Sequence, residues 1–157
     1  MNLEPLELTE QKEEELWNKI KTIPEKKDSL ARGSRELLRV YYQLKTAQFF
    51  EIEDKGLASI TDLTINAAQE FFNGIVHFTF WDNSLYDDLE VGRCFVDFLF
   101  SALRIKRLTA FVPVQHDKMY NYLKGIGFTQ EGIMKQFILY GNDPVTVRAM
   151  RLLKEEK

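Results

Sequence analysis

The chain has 157 residues and 45% hydrophobic content, and its 21 Lys and Arg nearly balance 24 Asp and Glu for a net charge of −3. Such a length suggests one domain spanning 1–157 that buries roughly 70% of its unfolded surface. The balance excludes the basic stripe of a nucleic-acid binder, Cys94 as the sole cysteine excludes a disulfide framework or zinc cluster, and no apolar run reaches the roughly 20 residues of a membrane span.

Glu4, Glu7 and Glu10 stand where a signal peptide would carry positive charge, so the reading is a cytoplasmic protein with no nucleic-acid or membrane partner. Residues Leu6 to Leu8 are expected to form a short strand. Thr9 then caps a helix with Leu16, Trp17, Ile20 and Ile23 at helical spacing, stopped by Pro24. A second helix starts near Asp28 or Ser29 with Leu30, Leu37, Val40, Tyr41 and Leu44 as its buried stripe.

The period then shortens. Phe49 to Ile52, a turn at Glu53-Asp54-Lys55-Gly56, and Leu57 to Ile65 read as a hairpin. Gly74 to Trp81 is the next strand, with Ile75, His77, Thr79 and Trp81 on one face and Val76, Phe78 and Phe80 on the other. Apolar groups on both faces place it centrally. Asp82 to Asp88 reads as a polar loop. From Glu90 a period of 3.6 returns: Val91, Cys94, Phe95, Phe98, Leu99, Ala102 and Leu103 form one stripe. Phe95, Phe98, Leu99 and Leu103 are expected to be nearly fully buried, and Cys94 to act as a small core hydrophobe. Arg107 to Val112 is a buried strand. Met119, Tyr122, Leu123 and Ile126 mark another helix, ending near Gly127. Gly132 to Tyr140 and Val145 to Leu153 read as strands joined by Gly141-Asn142-Asp143-Pro144.

This order implies a mixed α/β fold. The segment Val112-Pro113-Val114-Gln115-His116, then Lys124-Gly125-Ile126-Gly127-Phe128, then Glu131-Gly132, resembles the C-terminal half of the GNAT N-acetyltransferase superfamily, in particular its RimJ-like branch. The run Glu90 to Phe100 is also similar to divergent GNAT-like proteins of tailed bacteriophages, some linked to virion assembly. The resemblance implies a mostly antiparallel central sheet, helices on both faces, and two splayed parallel strands, Gly74–Trp81 and Arg107–Val112. It further implies acetyl-CoA as cofactor, a small-molecule or peptide amine as acceptor, and transfer by direct attack without a metal. A homodimer or protein partner is left open. The competing reading is a non-catalytic GNAT-like scaffold or interaction protein.

The departures sit in the phosphate loop. The family's glycines fall at Ser84 and Tyr86, and Asp87, Asp88 and Glu90 add negative charge where a helix N-terminus would otherwise favour phosphate. Gly92 and Arg93 are the available replacements, and Glu90-Val91 matches the residues that often follow the family's glycines. His116 stands where the family places an asparagine on the pantetheine arm. Leu123 replaces a tyrosine that protonates the leaving thiolate, and Tyr120 and Tyr122 point elsewhere. Phe80 and Trp81 are candidates to line the arm's groove. The implied cofactor contacts are therefore Phe80, Trp81, Glu90, Val91, Gly92, Arg93, Val114 and His116. His77, on the strand that should splay, is the candidate catalytic base; the competing reading is a core-edge histidine bonded to a neighbour. Glu51 and Glu53 are candidates to bind the amine or to form a wet sheet face.

Overall fold

The computed structural model describes residues 3–24, 39, 40, 42, 43, 47–140 and 142–157. Thr9 caps helix α1 (Glu10–Ile20), its hydroxyl accepting from the Lys12 amide at 3.1 Å, with Glu10 and Glu13 in the first turn. Leu16 and Ile20 are buried on the inward stripe. The first strand, β1, is Leu3–Pro5 rather than Leu6 to Leu8. Leu6 still donates its amide to Phe49 at 2.9 Å, but its apolar side chain is buried under α1 as the chain turns away. Most of the expected second helix lies outside the described residues. Val40 is helical but 53% exposed, so it does not belong to a buried stripe.

Seven strands form one sheet in the order β1-β2-β3-β4-β5-β7-β6. The strands are β2 (Gln48–Ile52), β3 (Gly56–Ile65), β4 (Phe71–Phe80), β5 (Arg107–Pro113), β6 (Thr129–Tyr140) and β7 (Asp143–Leu153). All neighbours are antiparallel except β4 and β5, which are parallel and joined through helix α2 (Leu89–Ser101). That parallel pairing covers Asn73↔Arg107, Gly74↔Leu108 and Ile75↔Thr109 alone. A polar clasp closes this end: Thr109 donates to Asn73 Oδ1 at 3.0 Å, Arg107 Nε donates to Thr109 at 3.2 Å, and the same guanidinium pairs with Glu131 of β6. Beyond it the two strands run on to Phe80 and Pro113 without a ladder between them among the described residues. The splay is therefore a wedge, tied at one end.

Each face of the sheet is covered by helices. On one face Val76 and Phe78 of β4, Leu108, Ala110 and Val112 of β5, and Met150 and Leu152 of β7 pack with Phe95 and Leu99 of α2 in the main core. On the other, Phe49 and Leu57 pack with Leu16 and Ile20 of α1.

Helix α2 turns a different stripe inward from the one expected. Val91, Gly92, Phe95, Val96, Leu99 and Phe100 are its buried residues, whereas Phe98 is 37% exposed, Leu103 is half-buried and Cys94 is exposed. The inward side is chosen by a neighbour. Helix α3 (Asp117–Gly125) packs its Tyr122 against Gly92, which rotates Val96 and Phe100 into the core and Cys94 and Phe98 out of it. Phe98 keeps an edge contact with Phe50, ring centroids 5.4 Å apart.

Helix α3 ends as its sequence indicates. Gly127 has φ +113, Phe128 donates its amide to Leu123 and Gly127 to Lys124, and Phe128 is buried. This is the left-handed glycine stop with its hydrophobic contact. Among the described residues no helix is long and apolar enough to cross a membrane.

Candidate active site

The wedge between β4 and β5 is lined by Val76, His77 and Phe78 on one side and Ala110 to Pro113 on the other, with Met119 and Leu123 of α3 beneath. Its cavity is only about 20 Å³, room for about one water. The open space lies at the mouth, a cleft of about 330 Å³ lined by Phe80, Trp81, Tyr86, His116 and the turn after α1 at Thr22 to Pro24.

His77 faces the α1 side of the sheet, directly across from Ser59 on β3. Ser59, Thr61 and Thr79 on that face are fully buried, and His77 is half-buried. Its Nε2 lies 3.0 Å from Thr61 Oγ1, which in turn donates to Asp62 Oδ2 at 2.8 Å. Asp62 sits in a β-bulge, where the β3–β4 register shifts between Thr61 and Thr64, and has φ 52. The Ser59 hydroxyl has no hydrogen-bond partner among the described residues. A half-exposed imidazole beside a buried hydroxyl floor can take up a proton. Glu51 is paired with Lys12 at 2.5 Å and Glu53 with Lys55 at 3.6 Å, so both acids are engaged by lysines.

His116 is buried, 4% exposed, and precedes α3 without capping it through its side chain. Its Nε2 contacts the Tyr86 hydroxyl at 3.1 Å across the mouth, and the two rings meet edge to face. Lys118 lies over the Tyr86 ring. Trp81 is held at the mouth by its indole N–H, which donates to the Asp54 carbonyl at 2.9 Å. The structure thus gathers His77 and His116 along the wedge, and Phe80, Trp81 and His116 at its mouth.

The remaining expected contacts are elsewhere. Val91 and Gly92 are buried inside α2's packing, Glu90 is exposed, and Arg93 donates to the Gly125 carbonyl at 3.2 Å. Val114 is half-buried and gives its amide to Thr146 of β7. Thr61, Asp62 and Tyr86 are the site residues that sequence reasoning did not assign. Only the Thr61-Asp62 pair next to a histidine-bearing strand could have hinted at them.

The residues fit one half of the family's cofactor and not the other. Beyond the three-residue ladder β4 and β5 do not pair with each other among the described residues, and the apolar walls between them suit a pantetheine arm. In the turn before α2 three amides are already engaged: Ser84 donates to Asp82 Oδ1, Leu85 to the Asp82 carbonyl and Asp88 to the Leu85 carbonyl. A phosphate site needs such amides unspent and a positive field, yet Asp87, Asp88 and Glu90 surround this turn. Among the described residues no group of three or more His, Cys, Asp or Glu could hold a metal ion.

No family model and no curated protein matches the sequence. Solved structures do match in fold. A spermidine N-acetyltransferase from Vibrio cholerae in complex with CoA and spermine superposes at a TM-score of 0.71 with 13% identity, over 98% of this chain and 96% of that one. A chimera of the Vibrio cholerae spermidine enzyme with hSSAT gives 0.73 at 16% identity over 99% and 98%. A ribosomal-protein-S5-alanine acetyltransferase from Vibrio fischeri gives 0.60 at 20% identity over 78% and 72%. The chain therefore has the fold of the GNAT acetyltransferases.

Proposed function

We propose that the protein is an N-acyltransferase that moves an acetyl group from acetyl-CoA to a small-molecule or peptide amine, with His77 as general base. The observation that carries this reading is the placement of His77: on the strand that diverges from its parallel neighbour, half-exposed, its ring held by a buried hydroxyl. His77 takes the proton of the incoming amine, with the buried hydroxyls of Ser59, Thr61 and Thr79 on the same face of the sheet. Phe80, Trp81 and His116 line the path proposed for the thioester arm. Bound acetyl-CoA would supply the activated acyl carbonyl; the chain's own contribution is the base and the shape of the wedge.

Calorimetric titration of the purified chain with acetyl-CoA, followed by an acetyl-transfer screen over primary amines including spermidine, tests the proposal. Micromolar affinity supports it, and His77→Ala should then slow transfer by roughly 10²–10⁴-fold. Absence of binding at millimolar cofactor overturns it.

A specific observation favours the second reading, a non-catalytic GNAT-fold interaction module, of the kind to which virion-assembly roles belong among phage GNAT-like proteins. The Tyr86–His116 contact spans the mouth, and the Ser84, Leu85 and Asp88 amides before α2 are engaged within their own turn. In that case His77→Ala lowers stability and changes nothing else.

A further inference from the structure

We propose that the tied end of the wedge carries a second binding site, for a small aromatic phosphate: a planar ring joined to a phosphate group. Two clefts lie there, of about 450 Å³ and 370 Å³, each within the range of small-ligand sites. Lys106 and Lys154 line both and form their common wall. Phe72 and Leu153 supply the apolar side of the larger cleft, and Arg104 adds a third cation in the smaller. Phe72 is 48% exposed. A single exposed ring on a convex surface needs no explanation, but this one stands in a cleft beside two ammonium groups. A planar ring stacks on it, and a phosphate attached to that ring meets the lysines through charge-assisted hydrogen bonds.

The backbone fixes these groups relative to one another. Lys106 donates its amide to the Phe72 carbonyl at 3.1 Å and accepts from the Lys154 amide at 2.9 Å, so three distant segments are fastened around the larger cleft. The charges there do not balance. Arg107 is paired with Glu131, Arg151 with Glu156 and Lys157 with Asp97. Arg104, Lys106 and Lys154 have no ion pair among the described residues. The acids lining the clefts are Glu155 in the larger and Glu70 in the smaller, and Glu70 accepts from Asn66 at 3.3 Å. Three cations against two acids leave a positive excess, which an anionic ligand offsets. The site is remote from the mouth of the wedge: Phe72 and Phe80 lie at opposite ends of β4, about 26 Å apart along the strand. It therefore stands whether or not the chain transfers an acyl group.

Calorimetric titration of the full chain with AMP and with phenyl phosphate tests the site. At least one should bind saturably, more weakly as salt is raised, while inorganic phosphate and adenosine each bind at least about tenfold less tightly, since each offers one half of the ligand. Lys106→Gln combined with Lys154→Gln should weaken binding by about tenfold or more, and Phe72→Ser by about fivefold or more through the lost stacking. Glu155→Gln removes an acid from the cleft and should tighten binding by about two- to threefold. All four positions are exposed, and thermal midpoints of the variants confirm that they fold. Tighter binding of AMP than of phenyl phosphate makes a nucleotide the source of the ligand, and the reverse order makes it a phosphorylated phenol. Absence of saturation by either at millimolar concentration overturns the proposal. So does binding unchanged in the double lysine variant, which would put the ligand elsewhere on the chain, or inorganic phosphate that binds as tightly as the aromatic phosphates.

Discussion

The Tyr122 hydroxyl lies where a side chain at position 92 would begin: a Cβ built on Gly92 would stand 2.7 Å from it and 3.0 Å from Ile126. The same hydroxyl donates to the Asp88 carbonyl at 3.2 Å, so one contact fixes both the start of α2 and its approach to α3.

Glycine to alanine within a helix ordinarily gains up to about 1 kcal/mol. Gly92→Ala should reverse that sign and cost roughly 1–3 kcal/mol by overpacking. Removing the obstructing oxygen with Tyr122→Phe should make the alanine less costly, so denaturant melts of the two single variants and the double variant should give a coupling of at least about 0.5 kcal/mol.

Alkaline stability provides a second check on Tyr122. Burial, the main cause, raises its ionisation well above the usual tyrosine range, with Asp88 adding to the shift and Gly92 and Arg93 opposing it. A raised folded-state value means its contribution is fully present below about pH 10 and is lost as pH rises, because the unfolded hydroxyl ionises first. The stability advantage of wild type over Tyr122→Phe should shrink above about pH 10 at up to about 1.4 kcal/mol per pH unit. Urea midpoints of the two chains between neutral and alkaline pH measure it; a constant difference would mean that the hydroxyl is not buried.

Two phenylalanines one turn apart on α2 should respond very differently. Phe95 is fully buried, its ring 5.7 Å from both Phe50 and Phe78, while Phe98 is 37% exposed. Phe95→Ala should cost about 3–5 kcal/mol, and Phe98→Ala about half that or less, since much of its surface already meets water. Thermal midpoints that fall equally would return Phe98 to the core.

At the mouth, Tyr86→Gly with Asp88→Gly removes the ring that reaches His116 and one of the carboxylates before α2. If the acyl-transfer reading holds, acetyl-CoA should bind the variant several-fold tighter than wild type, an effect of about 1 kcal/mol of the size expected at a helix N-terminus. Calorimetry decides it: weaker binding to the variant would show that Tyr86 is a cofactor contact and not an obstruction.

Much of the architecture is legible in the residues themselves. Thr9 as a cap, the Gly127-Phe128 stop and the alternation of Val76, His77, Phe78 and Thr79 are local signals, and each element they mark is present. The inward face of α2 is not local. Cys94 and Phe98 are as apolar as Val96 and Phe100, so periodicity leaves the rotation undecided until Tyr122, far along the chain, selects Gly92. The site divides in the same way. His77 is visible as a histidine on a central strand, whereas the link from Asp62 through Thr61 depends on a bulge that no period-2 pattern encodes. Tyr86 and His116 are 30 positions apart, and their meeting follows from the turn that the Ser84, Leu85 and Asp88 amides build.

The position of β7 between β5 and β6 has a kinetic consequence. Until β7 inserts, β5 has only the three-residue ladder to β4, and its other edge, from Arg107 to Pro113, lies open. Leu108, Ala110 and Val112 make that strand apolar, and an unpaired apolar edge is a template for another chain. Closure of the sheet waits on a contact between distant segments, which slows folding. The species most exposed to aggregation is thus the one with β1 to β5 assembled and β7 still outside, and refolding yield should fall as protein concentration rises.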